Sequence, residues 1–193
     1  MQRWRWAAVV IALASGTSRR HLYWESSRED SLPPCTVTVG PNEQDLVSAL
    51  TKVATGAVVC VTPGRGTLSA QLPLKNLVTL RSEDPEDPAN LVASPPQHWV
   101  YAAVAVTWQG LVLEGVRLQL AGHGSRVLGC TLGSLVVDSA SKVEIVNNTV
   151  TPGGIVVFAG TQVAEDVLVQ GNTVGDGLRR PTTQVVEARK AGG

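Results

Sequence analysis

The side chains best suited to chemistry fall in one short stretch. Gln97-His98-Trp99-Val100-Tyr101, with Trp108 soon after, brings together two indoles, a phenol, an imidazole and an amide. Aromatic faces stack on sugar rings, and His and Gln bond hydroxyls. His98, Trp99, Tyr101 and Trp108 are therefore the candidate carbohydrate-contacting set. The competing account is that Trp99 and Trp108 fill gaps over an irregular first coil. Other candidates are thinner. His123 lies between glycines in AGHGS and reads as a turn residue, and Asp84-Pro85-Glu86-Asp87-Pro88 reads as a solvated acidic turn. The three cysteines, Cys35, Cys60 and Cys130, have no further Cys or His at ligand spacing, so neither a metal site nor a cofactor is expected.

A repeat supplies the scaffold for these residues. Ser141–Val150, SKVEIVNNTV, returns as Glu165–Val174, EDVLVQGNTV. Fainter echoes are Ser125–Leu132, SRVLGCTL, and Leu111–Leu118, LVLEGVRL. In that register Val116, Cys130, Asn148 and Asn172 form one column, and Leu118, Leu132, Val150 and Val174 another. Units recurring in this way signal a solenoid, in which each rung covers its neighbour's apolar face.

Strand alternation then assigns the faces. With Val143 and Ile145 inward, the outward columns are Val112–Arg126–Glu144–Leu168 and Glu114–Leu128–Val146–Gln170. Arg126 and Glu144 fall on successive rungs, about 4.8 Å apart, and a surface ion pair is the preferred account. Asn148 and Asn172 are expected to stack as a ladder, each amide bonding the backbone of adjacent rungs. Asn147 is placed outward. Cys130, in the same column as Asn148, reads as a buried apolar thiol.

Composition agrees with a strand-rich chain. Of 193 residues, 16 are basic and 16 acidic, so no strong field points to nucleic acid or a membrane surface. Arg3 and Arg5, the apolar run Trp6–Leu13 and the small-x-small site ending at Ala14 read as an export signal over residues 1–14. That run is too short to span a bilayer, and no membrane association is expected after its removal. Residues 15–34 read as a linker, 35–178 as the folded domain and 179–193 as a disordered tail. Within the domain, CTVTV suits a strand. A helix follows over 42–55, with Asn42 as N-cap, Leu46, Ala49, Leu50 and Val53 on one face and Gly56 to end it. The strand AVVCVTPG comes next. A helix placed ahead of a stack of rungs has the task of covering the open apolar end of the first rung.

The stretch CTVTVGPNEQDLVSALTKVATGAVVCVTPG, followed by LPLKNLVTLRS, resembles the opening of secreted right-handed parallel β-helix repeat proteins of the pectate-lyase-like group. The resemblance covers about residues 35–174. It departs from the family pattern at Arg65-Gly66, where an aromatic usually follows the Pro-Gly, and in its small number of coils. It implies an all-β, right-handed single-stranded parallel β-helix with an N-terminal capping helix, and a Cys35–Cys60 disulfide flanking that helix. The alternative is two buried thiols in a reducing compartment. A bridge there would contribute roughly 3 kcal/mol.

The resemblance also implies what catalysis would need. The lyases of this group cluster carboxylates for calcium beside an Arg or Lys base, and the hydrolases need paired carboxylates at a set separation. The outward columns show neither. The expected function is therefore an extracellular, non-catalytic module whose partner is a polysaccharide, a cell-surface glycan or a protein. The alternatives are a polysaccharide lyase or glycoside hydrolase relative, active or decayed, and a structural fragment of a longer solenoid. Oligomeric state is left open.

Overall fold

A computed structural model describes residues 33–158, 166–175 and 186–187. The expected signal segment and nearly all of the linker lie outside the described residues. The chain opens with β1 (Val37–Val39), α1 (Glu43–Lys52), β2 (Val58–Val61), β3 (Arg65–Leu68), β4 (Val78–Ser82), β5 (Asn90–Ala93), β6 (Trp99–Ala102) and β7 (Val106–Gln109). It continues with β8 (Val112–Leu120), β9 (Arg126–Leu128), β10 (Thr131–Asp138), β11 (Glu144–Val146), β12 (Thr149–Val150), β13 (Ile155–Phe158), β14 (Leu168–Gln170), β15 (Thr173–Val174) and β16 (Val186–Glu187).

These strands stack as a parallel β-solenoid. One sheet, A, runs β1-β2-β4-β7-β9-β11-β14-β16, and the second, B, runs β3-β5-β8-β10-β12-β15. The pairings are parallel except β14 with β16. The long strands β8 and β10 serve two faces. Their first halves pair with β5 and β12, and their second halves with β6 and β13. The register shifts between Leu132 and Ser134, at Gly133. A Cβ there would come within 2.9 Å of Val116 O, so the close approach of backbones at the bend requires glycine.

Alternation sends one side of each strand inward. The sheet-A column Val59–Leu80–Trp108–Val127–Ile145–Val169 is buried throughout, as is Leu91–Leu113–Leu132–Val150 in sheet B. Each such side chain contributes about 1.5–3 kcal/mol by leaving water. Leu46, Ala49 and Leu50 of α1 join this core and cover the end of the first rung. The Asn42 side chain accepts the Asp45 N–H (2.9 Å), as the sequence pattern predicts. The helix ends at Lys52, three residues before the expected boundary. Val53 bonds Ala49 O but is itself extended (φ −67°, ψ 154°), and Gly56 (φ +79°) serves the following turn into β2 instead.

One further expectation is corrected. The upstream repeat is displaced by five residues: Leu111 and Leu113, not Val116 and Leu118, align with Cys130 and Leu132. The turn decides this. Gly110, Gly129, Asn147 and Gly171 occupy equivalent positions, all with φ between +56° and +66°. Glycine, and more rarely Asn, accepts that conformation. Val112 and Glu114 consequently lie on sheet B, and Thr107 and Gln109 take the places on sheet A assigned to them. Within the expected tail, Val186–Glu187 pairs antiparallel with Leu168–Val169, and the other residues of 179–193 lie outside the described residues.

Candidate functional site

The four candidate aromatic and imidazole residues separate by strand parity. On β6, Val100 and Ala102 point into the core, so Trp99 and Tyr101 point out, 40% and 47% exposed. Trp108 does not belong to this face. It is completely buried in the inward column of sheet A, between Leu80 and Val127, and its indole N–H has no hydrogen-bond partner among the described residues. The register of β7 on β4 and β9, invisible from the aromatic spacing alone, turns it inward. His98 also leaves the face. It shares the inward parity of Val100, is only partly exposed, and its Nε2 is buried with no hydrogen bond among the described residues.

The face gains residues that the local sequence does not single out. β6 pairs with β8, so that Trp99 lies beside Arg117 and Tyr101 beside Gln119. β10 adds Ser134 and Val136, and β13 adds Val156. Two outward rows result, Trp99–Arg117–Ser134 and Tyr101–Gln119–Val136–Val156. They lie two residues apart along each strand, about 6.6 Å, with rungs about 4.8 Å apart. The Arg117 guanidinium sits 5.4 Å from the Trp99 ring centroid and donates to Gln97 Oε1. Gln119 Nε2 donates to Asp138 Oδ2 (2.9 Å). The signal for these partners is an alternation, R-x-Q beneath W-x-Y, which becomes legible once the strand pairing is known.

The edge of β6 is held by a side chain acting as a neighbouring strand. Gln71 Nε2 donates to Trp99 O, and Gln71 Oε1 accepts the Tyr101 N–H (3.0 Å). Two residues earlier the chain is fixed by the capping helix. The Glu43 carboxylate accepts the N–H groups of Ser69 and Ala70 and the Ser69 hydroxyl. The Ser69 N–H, with smaller help from Ala70, the Ser69 hydroxyl and the His98 charge, holds the Glu43 carboxyl below its ordinary range despite partial burial. The cap therefore positions the aromatic strand as well as closing the core.

The other candidates take simpler places. Cys35 and Cys60 form a disulfide between β2 and the residues leading into β1, Cα–Cα 5.7 Å. Asn148 Oδ1 accepts the Cys130 N–H (2.8 Å), and its Nδ2 donates to Val127 O (2.8 Å) and Asn172 Oδ1 (2.9 Å). Asn172 Oδ1 also accepts the Asn148 N–H, while its Nδ2 donates to Ile145 O. This is the expected ladder. Above it, Cys130 is buried, and desolvation pushes its thiol up to about 11. Arg126 and Glu144 form the expected inter-rung ion pair (2.7 Å), both exposed. A second pair, Arg65–Glu114 (3.1 Å), spans sheet B. His123 Nδ1 accepts the Ser141 N–H (3.0 Å) and lies 2.7 Å from its hydroxyl, linking two turns. Among the described residues no three His, Cys, Asp or Glu side chains gather in a group able to hold a metal ion, and no helix is long and apolar enough to cross a membrane.

Comparison with protein-family models, curated proteins and solved structures finds no match to this chain.

Proposed function

We propose that this chain is an extracellular β-solenoid module that binds glycan, without catalysing its cleavage, through the face bearing Trp99 and Tyr101. The observation carrying the proposal is that platform. Two exposed rings project from one strand, next to a guanidinium, an amide and a carboxylate on the neighbouring rungs. Rings supply the stacking surface for a pyranose, and the polar row supplies donors and acceptors for its hydroxyls. Export is part of the proposal, supported by the Cys35–Cys60 disulfide, since such bridges persist in oxidising compartments. So is a right-handed coil, the hand that parallel crossovers within a sheet adopt. Kinship with the pectate-lyase-like β-helix proteins rests on the strand–capping helix–strand opening and the Asn ladder.

A protein partner is the second reading, favoured by the apolar extension of the same face through Val136 and Val156. The test is retention on a panel of immobilised polysaccharides, monitored also for released products. Trp99→Ala and Tyr101→Ala are each expected to weaken retention by about 1–3 kcal/mol, taking base–aromatic stacking as the analogue. Glu144→Gln should leave it unchanged. Absence of retention on every glycan would sink the proposal and leave the protein partner. Turnover abolished by Glu144→Gln would turn the assignment to a lyase or hydrolase.

A further inference from the structure

Resting on the export part of the proposed function, we propose that Asn147 is the acceptor of an N-linked glycan. Of the six asparagines only this one begins Asn-x-Thr, as Asn147-Asn148-Thr149. That triplet marks an N-glycosylation acceptor in a surface loop of a secreted protein. The structure divides the triplet by role. Asn148 is buried in the ladder, while Asn147 and Thr149 are both exposed. Neither exposed side chain has a hydrogen bond among the described residues. The fold therefore leaves the amide and the hydroxyl of the acceptor pair uncommitted. Bulk on Asn148 would break the ladder, whereas bulk on Asn147 displaces none of its bonds.

The turn itself accommodates a substituent. Gly110, Gly129 and Gly171 occupy the equivalent corners, and Asn147 (φ +56°) is the one residue among them with a side chain. Its carboxamide lies beside Gly171 on the next rung, where a Cβ would collide with Oδ1, so that glycine makes the room. Asn147 also borders an open groove of about 500 Å³ with Val146, Leu128, Pro85 and Pro88 on its walls, which gives the first sugars a partly apolar surface beside them. This corner joins sheet A to sheet B. The face bearing Trp99 and Tyr101 is built from β6, β13 and the second halves of β8 and β10, beyond the bend at Gly133, so the glycan projects from a different corner. In the transfer, Asn147 Nδ2 forms a bond to the anomeric carbon of an oligosaccharide carried on a lipid diphosphate. The bond from that carbon to the diphosphate oxygen breaks, and the lipid diphosphate leaves with the electron pair. The amide gives up one proton to a base of the transferase.

The experiment expresses the full chain in a eukaryotic secretory host. Mass and disulfide state are measured before and after an amidase that releases N-glycans by converting the carrier Asn to Asp. One glycan is expected, with the conversion at position 147 and the Cys35–Cys60 bridge intact. Asn147→Gln and Thr149→Val should each abolish the added mass, and Thr149→Ser should keep it. Should Asn147→Gln fail to fold at its positive φ, Thr149→Val still decides, because it leaves the turn residue in place. Added mass that survives Thr149→Val overturns the inference. So does a chain with the bridge formed and Asn147 bare, which leaves export intact. A chain with both thiols free and Asn147 bare overturns export as well.

Discussion

Replacing Asn148 with Leu tests the part of the structure that holds the rungs in register. Leu is close to Asn in size, so the substitution removes polar partners while opening little space. Without the amide, Cys130 N–H loses its acceptor and Val127 O loses the donor Asn148 Nδ2. Asn172 Oδ1 loses one of two donors but keeps the Asn148 N–H. Two buried backbone groups are thus left bare, at about 1–3 kcal/mol each. Burying the larger apolar side chain returns about 1–2 kcal/mol. The expected net loss is about 1–4 kcal/mol. The control lies next door. Asn147 is exposed and has φ +56°, where the equivalent rungs carry Gly110, Gly129 and Gly171. Asn147→Gly should therefore be close to neutral, whereas Asn147→Leu would cost about 1–2 kcal/mol through backbone conformation alone. Urea unfolding supplies the equilibrium values, and amide exchange at Cys130 localises them, which matters in a repeat fold whose rungs can open separately. An Asn148→Leu variant as stable as Asn147→Gly, with Cys130 still protected, would refute the ladder argument.

Reducing the Cys35–Cys60 bridge, or replacing both residues with Ser, should cost about 3 kcal/mol, and the intact chain should weigh two hydrogens less than its dithiol form. Acid should weaken the cap through Glu43. Its folded-state pKa lies below the unfolded value, so its contribution is fully present above the ordinary carboxylate pKa and is lost as pH falls through the folded one. Glu43→Gln should flatten that limb of the stability–pH curve and cost at most about 1 kcal/mol at neutral pH, since the groups it bonds are partly solvated and Gln keeps one acceptor oxygen; an unchanged curve would contradict the assignment. Cys130, buried with its thiol raised to about 11, should resist a thiol reagent at pH 8 in the native protein and react at once in denaturant. Rapid labelling of the native chain would show that its rung is open.

Alternation, turn chemistry and capping are local properties, and the sequence by itself determined what depends on them. NEQDL gives a cap and a first helical turn, and the Val-x-Ile and Val-x-Val pairs before Asn148 and Asn172 give inward faces. Because those two repeats share their inward Val and Ile/Val positions and the ending Asn-Thr-Val, their stacking and the Asn ladder follow from them. The Arg126–Glu144 pair follows once Ser125–Leu132 is set in the same register. Farther upstream the repeats have diverged, and composition no longer distinguishes one register from another. There Gly110, aligned with Gly129 and Asn147, moved the pairing by five residues and drew Trp108 into the core. Tertiary structure alone decided the candidate site. Trp99 and Arg117 are separated by 18 residues, and Gln71 and Tyr101 by 30. A one-residue slip in either strand would exchange inward and outward side chains, so which rings face solvent is fixed by cross-rung pairing and not by any property of the stretch that carries them.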